Sequence, residues 1–233
     1  MDSTPEADEK AGFGRRLLLL VSAPGALGDC LRARPVWWDA LLLGGLLVAI
    51  SNLVIPADVW GEFMRTQALA AGGARAGAEA PVPSGQIVRI AGSIAAPIFW
   101  ALFMALSAGI MAFVFAFVFG DEGRFKQYFS ATAHASLITG FGLVLVSPLR
   151  IAREDPQLTL SVGTFLQGAL GDGYLATLAN ALDLFAIWAW IVMGVLFSRF
   201  DERRSPGSAV AVVVALSGAI IAVIAWFQHR ALG

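Results

Sequence analysis

The chain has 233 residues, 58% of them hydrophobic and 14% charged, with a mean hydropathy of +0.73. A soluble domain carries about a quarter charged residues, and a net charge of −1 provides no field for holding nucleic acid. One cysteine, Cys30, and two distant histidines, His134 and His229, exclude an internal disulfide and give no metal-ligand set.

In chain order, residues 1–12 (MDSTPEADEKAG) read as a disordered cytoplasmic tail. Residues 13–36 open like a signal peptide, with Arg15 and Arg16 ahead of Leu17 to Val21. Pro24, Gly25 and Gly28 then interrupt the apolar run, and Asp29 before Cys30 does not fit a lipoprotein cleavage site. This segment reads as an amphipathic helix lying on the cytoplasmic leaflet.

Five apolar stretches follow, at about 37–56, 91–119, 128–147, 174–197 and 208–227. Each is long enough to cross a hydrocarbon core of about 30 Å. The expected fold is therefore all-α: a polytopic transmembrane bundle of five helices, preceded by an N-terminal interfacial helix. Trp37 and Trp38 form an aromatic belt at the start of the first span. Pro97 is expected to kink or split the second, and Pro148 to end the third. Residues 72–85 (GGARAGAEAPVPSG) read as an external loop, with a surface helix ahead of them around Val59, Trp60, Phe63 and Met64. Residues 151–173 are too short to span as a helix and are either interfacial or re-entrant. Ten of the sixteen basic residues fall before the first span and after the second and fourth. That bias puts the N-terminus in the cytoplasm and the C-terminus outside.

Asp183 lies inside the fourth stretch, and a carboxyl at that depth marks a candidate site. It is 15 residues from Ser198, or about 22 Å from the cytoplasmic side. Asn52 on the first span and Ser107 on the second fall at a similar depth. Thr177, Asn180 and Asp183 share one face if the fourth span is a continuous helix. The expected intramembrane polar cluster is Asp183, Asn180, Asn52 and Ser107. Its functional reading is a proton, cation or lipid-headgroup site, and its plainer reading is a hydrogen bond that sets helix register. Ala101, Ala105 and Gly109, and Ala211, Ala215 and Ala219, repeat every four residues and are expected to be packing faces. The Phe113, Phe115, Phe117 and Phe119 run reads as lipid-facing bulk, and His134 as satisfied by Ser130 one turn back. At the cytoplasmic face, Phe125, Lys126, Arg203 and Arg204 are placed to meet anionic headgroups or a partner. There is no HExxH, GxSxG, Walker A lysine or paired intramembrane aspartate, so no catalytic residue, metal or cofactor is expected.

Three segments carry a family likeness: SAPGALGDCLRARPVWWDALL (Ser22 to Leu42), FGDEGRFKQYFSATAHASLI (Phe119 to Ile138) and the D-x-F-x-x-W pattern of Asp183, Phe185 and Trp188. Together they resemble the Yip1 domain family of five-span membrane proteins, over about residues 13–227. The resemblance implies a five-span bundle with a cytoplasmic N-terminus. Eukaryotic members are associated with Rab-type GTPases, but this chain lacks their long N-terminal region and Asp-Leu-Tyr-Gly-Pro signature, so such a partner is not expected. The short tail and Ala/Gly/Arg-rich loops look prokaryotic and suggest a bacterial inner membrane. The expected role is non-enzymatic, through contact with membrane lipids, other membrane proteins or a second copy. The rivals are a small transporter or channel using Asp183, and an accessory subunit of a larger membrane complex.

Overall fold

A computed structural model describes residues 11–70, 83–166, 169–171 and 173–232. The tail expected over residues 1–12 and the loop expected over 72–85 fall mostly outside these. The described residues form ten α-helices and no strand beyond one isolated bridge. They are α1 (Phe13–Ser22), α2 (Pro24–Ala33), α3 (Trp38–Val54), α4 (Ala57–Ala70), α5 (Gly85–Ala112), α6 (Phe125–Ala152), α7 (Val162–Phe165), α8 (Tyr174–Ala181), α9 (Leu184–Phe197) and α10 (Pro206–Leu232).

Three helical stretches are long and apolar enough to cross a membrane: Gly85–Val118, Phe125–Ala152 and Pro206–Arg230. Trp38–Val54 and Ala57–Leu69, bent by 87°, make a fourth if taken as one span. The bend falls where Ile55 is extended before Pro56, the conformation that a following proline ring favours. The expected fourth span is two helices, α8 and α9, the longer having 14 residues.

The N-terminal segment holds two helices where one was expected. Pro24 has no N–H to offer the end of α1, and starts α2 as a first-turn proline. Neither Pro97 nor Pro148 ends its helix: α5 and α6 run through them for 28 residues each. Beyond Ala112, α5 continues as a π-helical turn, Phe113–Val118. The wider turn brings Phe115 inward, where it is fully buried against Phe197 at 5.3 Å, while Phe113 and Phe117 stay exposed. The phenylalanine run is thus not all lipid-facing.

Helix α6 is the centre of the bundle and packs against α1, α2, α3, α5 and α9. Helix α10 packs against α8 and α9 instead. The close approaches are not made by the two four-residue stripes. Ala105, Ala211, Ala215 and Ala219 are exposed, and nothing lies within 4 Å of a Cβ placed on Gly109. Gly194 makes the α9–α10 contact, since a Cβ there would come within 2.5 Å of the Val210 Cα. Gly142 receives the Phe185 ring in the same way at the α6–α9 contact. A Gly194→Ala substitution should lower stability by about 1–3 kcal/mol through overpacking, with Gly109→Ala neutral or better. Melting of the purified variants in detergent measures this, and equal melting of Gly194→Ala and wild type would refute the contact.

Candidate functional site

Asp183 does not sit within a helix. Leu182 leaves the helical conformation and Asp183 is extended between α8 and α9, and the Asp183 carboxylate accepts the Ala186 N–H at 2.8 Å as the N-cap of α9. Aspartate competes for nearby backbone donors and so favours helix starts over interiors. The three-residue stripe of Thr177, Asn180 and Asp183 is therefore broken at its last member.

A break in an apolar run leaves backbone groups without helical partners, which is costly in hydrocarbon. Here the preceding loop supplies them. Val162 N–H donates to Leu182 O, and Leu184 N–H to Leu160 O, each at 2.9 Å, pairing Ser161 with Asp183 as an antiparallel bridge. The loop is held close because Gly163 has no side chain, a Cβ there colliding with Asn180. Residues 160–163 of the segment expected to be interfacial or re-entrant thus fold back onto the break.

Arg150, buried in the last turn of α6, donates from Nε to Leu158 O at 2.8 Å. Its charge acts on Asp183 and Asp155, without a direct ion pair to Asp183. Arg150 is the basic neighbour that sequence reasoning missed. Its only signal was a charge two residues past Pro148, at the end of an apolar run.

The rest of the expected cluster is not assembled around Asp183. Asn52 donates to Val48 O of its own helix at 2.9 Å, and its backbone carbonyl accepts the Trp60 indole at 3.3 Å. Ser107 is half-buried on α5, and Asn180 is exposed on α8 against Gly163. The reason is the packing order. α3 and α5 pack on each other and on α6, whereas α9 packs on α6 and α10. Depth matched these residues, but they belong to different sides of the bundle.

A second polar site lies at the end of the bundle where the turns between α5 and α6 and between α9 and α10 meet. Arg204 grips Asp121 at 3.1 and 2.5 Å and stacks over Phe119 at 4.8 Å. Arg203 grips Asp201 at 3.0 and 2.7 Å and donates to Gly120 O at 2.9 Å. Asp201, 2% exposed, also accepts the Glu122 N–H at 3.1 Å. Arg199 closes the network on α2 through a two-bond pair with Asp29 at 2.9 and 2.8 Å. Hydrogen bonds from Arg203 hold the Asp201 carboxyl well below its ordinary range, and Asp121 raises Arg204. Of the four residues expected to meet headgroups or partners, Phe125, Lys126 and Arg203 are exposed and Arg204 is half-buried. Arg203 and Arg204 are committed to carboxylates that latch two turns together.

Arg16 of α1 pairs with Asp39 at the start of α3, both nearly buried. His134 donates from Nδ1 to Ser130 O at 2.8 Å. No group of three or more potential metal ligands occurs among the described residues. Comparison with protein-family models, with curated proteins and with solved structures finds no match.

Losing the cap in Asp183→Ala should cost about 1 kcal/mol, with Asp183→Asn retaining most of it. Denaturation of both variants in detergent separates the causes. An equal loss in the two would assign the stabilisation to the Arg150 charge instead. For Asp201 the sign is that of a depressed carboxyl. Its contribution is full above the ordinary value of about 3.9 and is lost as pH falls through the lower folded value. Hydrogen exchange at the Glu122 amide, corrected for intrinsic rate, should stay protected at pH about 4 and open only well below it, where Asp201 itself takes a proton. Opening already near neutral pH would refute the latch.

Proposed function

We propose that this chain is a non-enzymatic integral membrane protein that acts through contacts with lipids and other membrane proteins, in the manner that its likeness to the Yip1 domain family suggests. The observation that carries the reading is the N-terminal pair of helices strapped to the bundle. α1 turns Leu20 inward and leaves Leu18 at 72% and Val21 at 64% exposure. A helix pinned to spanning helices with an apolar outer edge suits the boundary between headgroups and hydrocarbon. The spanning helices add an apolar exterior, including Phe99, Leu102 and Phe103 on α5.

The proposed topology is five crossings, by α3, α5, α6, the broken pair α8–α9, and α10, in a bacterial inner membrane. The latched end faces the cytoplasm, with the N-terminus inside and the C-terminus outside. α9 alone has 14 residues, about 21 Å, and needs α8 to complete a crossing of about 30 Å.

One observation favours a second reading, a small transporter: a helix broken within an apolar run, here with a carboxylate at the break, is a recurrent form of transport site. Against it, the carboxylate is already engaged in capping α9. Wild-type flux of protons or cations into vesicles, abolished in Asp183→Asn, would put the second reading first.

Reporter fusions at the two ends test the topology. Five crossings place them on opposite sides of the membrane, whereas both reporters on one side would require an even count and overturn the proposal.

A further inference from the structure

Helix α6 stops on a strained residue. Glu154 has φ 54°, in the left-handed region that side chains other than glycine rarely adopt. The Asp155 N–H donates to Arg150 O at 3.0 Å and the Glu154 N–H to Ile151 O at 3.2 Å. This is the pairing of a helix stop in which glycine ordinarily takes the position of Glu154. From there the chain runs to residues 160–163, which cover the break between α8 and α9.

The segment between is bonded within itself. Gln157 N–H donates to the Asp155 carboxylate at 2.9 Å, and Leu158 N–H to Asp155 O at 3.3 Å. The Ser161 and Thr164 hydroxyls each accept the other's backbone N–H at 3.2 Å, and Thr164 Oγ1 donates to Thr159 O at 3.3 Å. Beyond the hinge, three hydrogen bonds tie the segment to the bundle among the described residues. They run from Arg150 Nε to Leu158 O, from Val162 N–H to Leu182 O and from Leu184 N–H to Leu160 O. A segment that keeps its own shape and hangs by few bonds can leave as one body, as low-stability cooperative units do.

We infer that residues 155–164 form a lid, hinged at Glu154, that opens over the break between α8 and α9 while the rest of the bundle stays folded. Closed, it gives Leu182 O and Leu184 N–H their partners and holds Ser161, 3% exposed, opposite Asp183. Open, it leaves these groups and the Asp183 carboxylate to water. Opening also lets Glu154 leave the left-handed region, so the hinge strain works against the closed state. The lid is a property of the fold. Its consequence for a bilayer, that opening admits water to a carboxylate within an apolar run, rests on the membrane reading, which the reporter fusions test separately.

The test is hydrogen exchange of the full chain in detergent micelles, resolved to single amides by fragmentation mass spectrometry. After correction for intrinsic rates, the Val162 and Leu184 amides are expected to exchange together. Their rate should exceed that of Val192 and Met193, buried in α9, by about tenfold or more. Gly163→Ala forces the lid off its seat, since a Cβ there would come within 2.8 Å of the Asn180 backbone N. It should speed both bridge amides by about tenfold or more and leave Val192 and Met193 unchanged. Ser161→Cys with Asp183→Cys, made together with Cys30→Ser, locks the lid instead. The two positions form a non-hydrogen-bonded antiparallel pair, whose Cα atoms lie about 4.5 Å apart, within reach of a disulfide. Oxidised, the pair should slow both amides to the α9 rate, and reductant should restore their exchange. Bridge amides that open only together with Val192 and Met193, in wild type or in Gly163→Ala, would overturn the lid. An oxidised pair that leaves their exchange unchanged would do the same, and neither result touches the count of crossings.

Discussion

The bundle depends on how closely other helices can approach α6. From Ser130 to Ile138 every residue of α6 is buried, so this stretch is enclosed on all sides. A helix of large side chains could not accept five neighbours there, because interaxial distances grow with side-chain size. The sequence SATAHAS at 130–136 is small apart from His134, and Gly140 and Gly142 follow. With little hydrophobic drive between helices in lipid, such close packing is the main source of association. Small hydroxyls add local bonds without bulk: Ser130 Oγ reaches Val36 O at 2.6 Å and so ties α6 to the chain leading into α3. His134 fits because its ring nitrogen folds back on its own helix.

Charge is concentrated where the helices turn. Asp29, Asp121 and Asp201 each receive an arginine, and together they join α2, the α5–α6 turn and the α9–α10 turn. Exposed ion pairs of this kind contribute little individually. The Asp121–Arg204 pair differs, being largely buried and flanked by Phe115 and Phe119. Arginine rather than lysine suits these positions, since its planar fork meets a carboxylate with two bonds and stacks on a ring with its face. Three of the ten basic residues on which the expected orientation rests, Arg199, Arg203 and Arg204, are thus the ones that latch the turns.

Much of this was legible in the sequence because apolar length and proline position are local signals. The runs around α3, α5, α6 and α10 appear as hydropathy alone, whereas Pro24, read only as an interruption of one helix, in fact starts a second. The break at Asp183 was not legible in the same way. Residues 174–197 read as one apolar run, and a hydropathy window weighs one aspartate against many leucines and alanines. The signal that existed was the residue type itself, since aspartate caps helices more readily than it sits inside them. What no local pattern reveals is that residues 160–162 return to pair with 182–184. The missing partner of Asp183 had the same cause: Arg150 is distant in sequence, and its role depends on where α6 ends. Depth counting placed Asn52 and Ser107 level with Asp183 but carries no information on which helices are neighbours. The four-residue alanine stripes misled for a related reason. Spacing shows that a smooth face exists, whereas Gly194 and Gly142 show where another backbone or ring actually arrives.

Phe185 belongs both to the break and to an apolar groove of about 450 Å³ between α1 and the helices α6 and α9. This residue follows the Asp183 cap by two positions, fills the space left by Gly142 on α6, and lines the groove beneath α1. Its backbone position is set by the cap and by the Ser161–Asp183 bridge, which in turn depends on how the loop lies against Asn180. A shift of that loop would therefore move the first turn of α9 and with it one wall of the groove. Trp188, three residues further along α9, lies on the same wall. The D-x-F-x-x-W pattern thus has a physical reading in this fold. The aspartate starts the helix, the phenylalanine locks it to α6, and the tryptophan borders the apolar slot. Their spacing is what one helix start needs in order to serve all three, and the loop that completes the break also bears on the wall that Phe185 and Trp188 form.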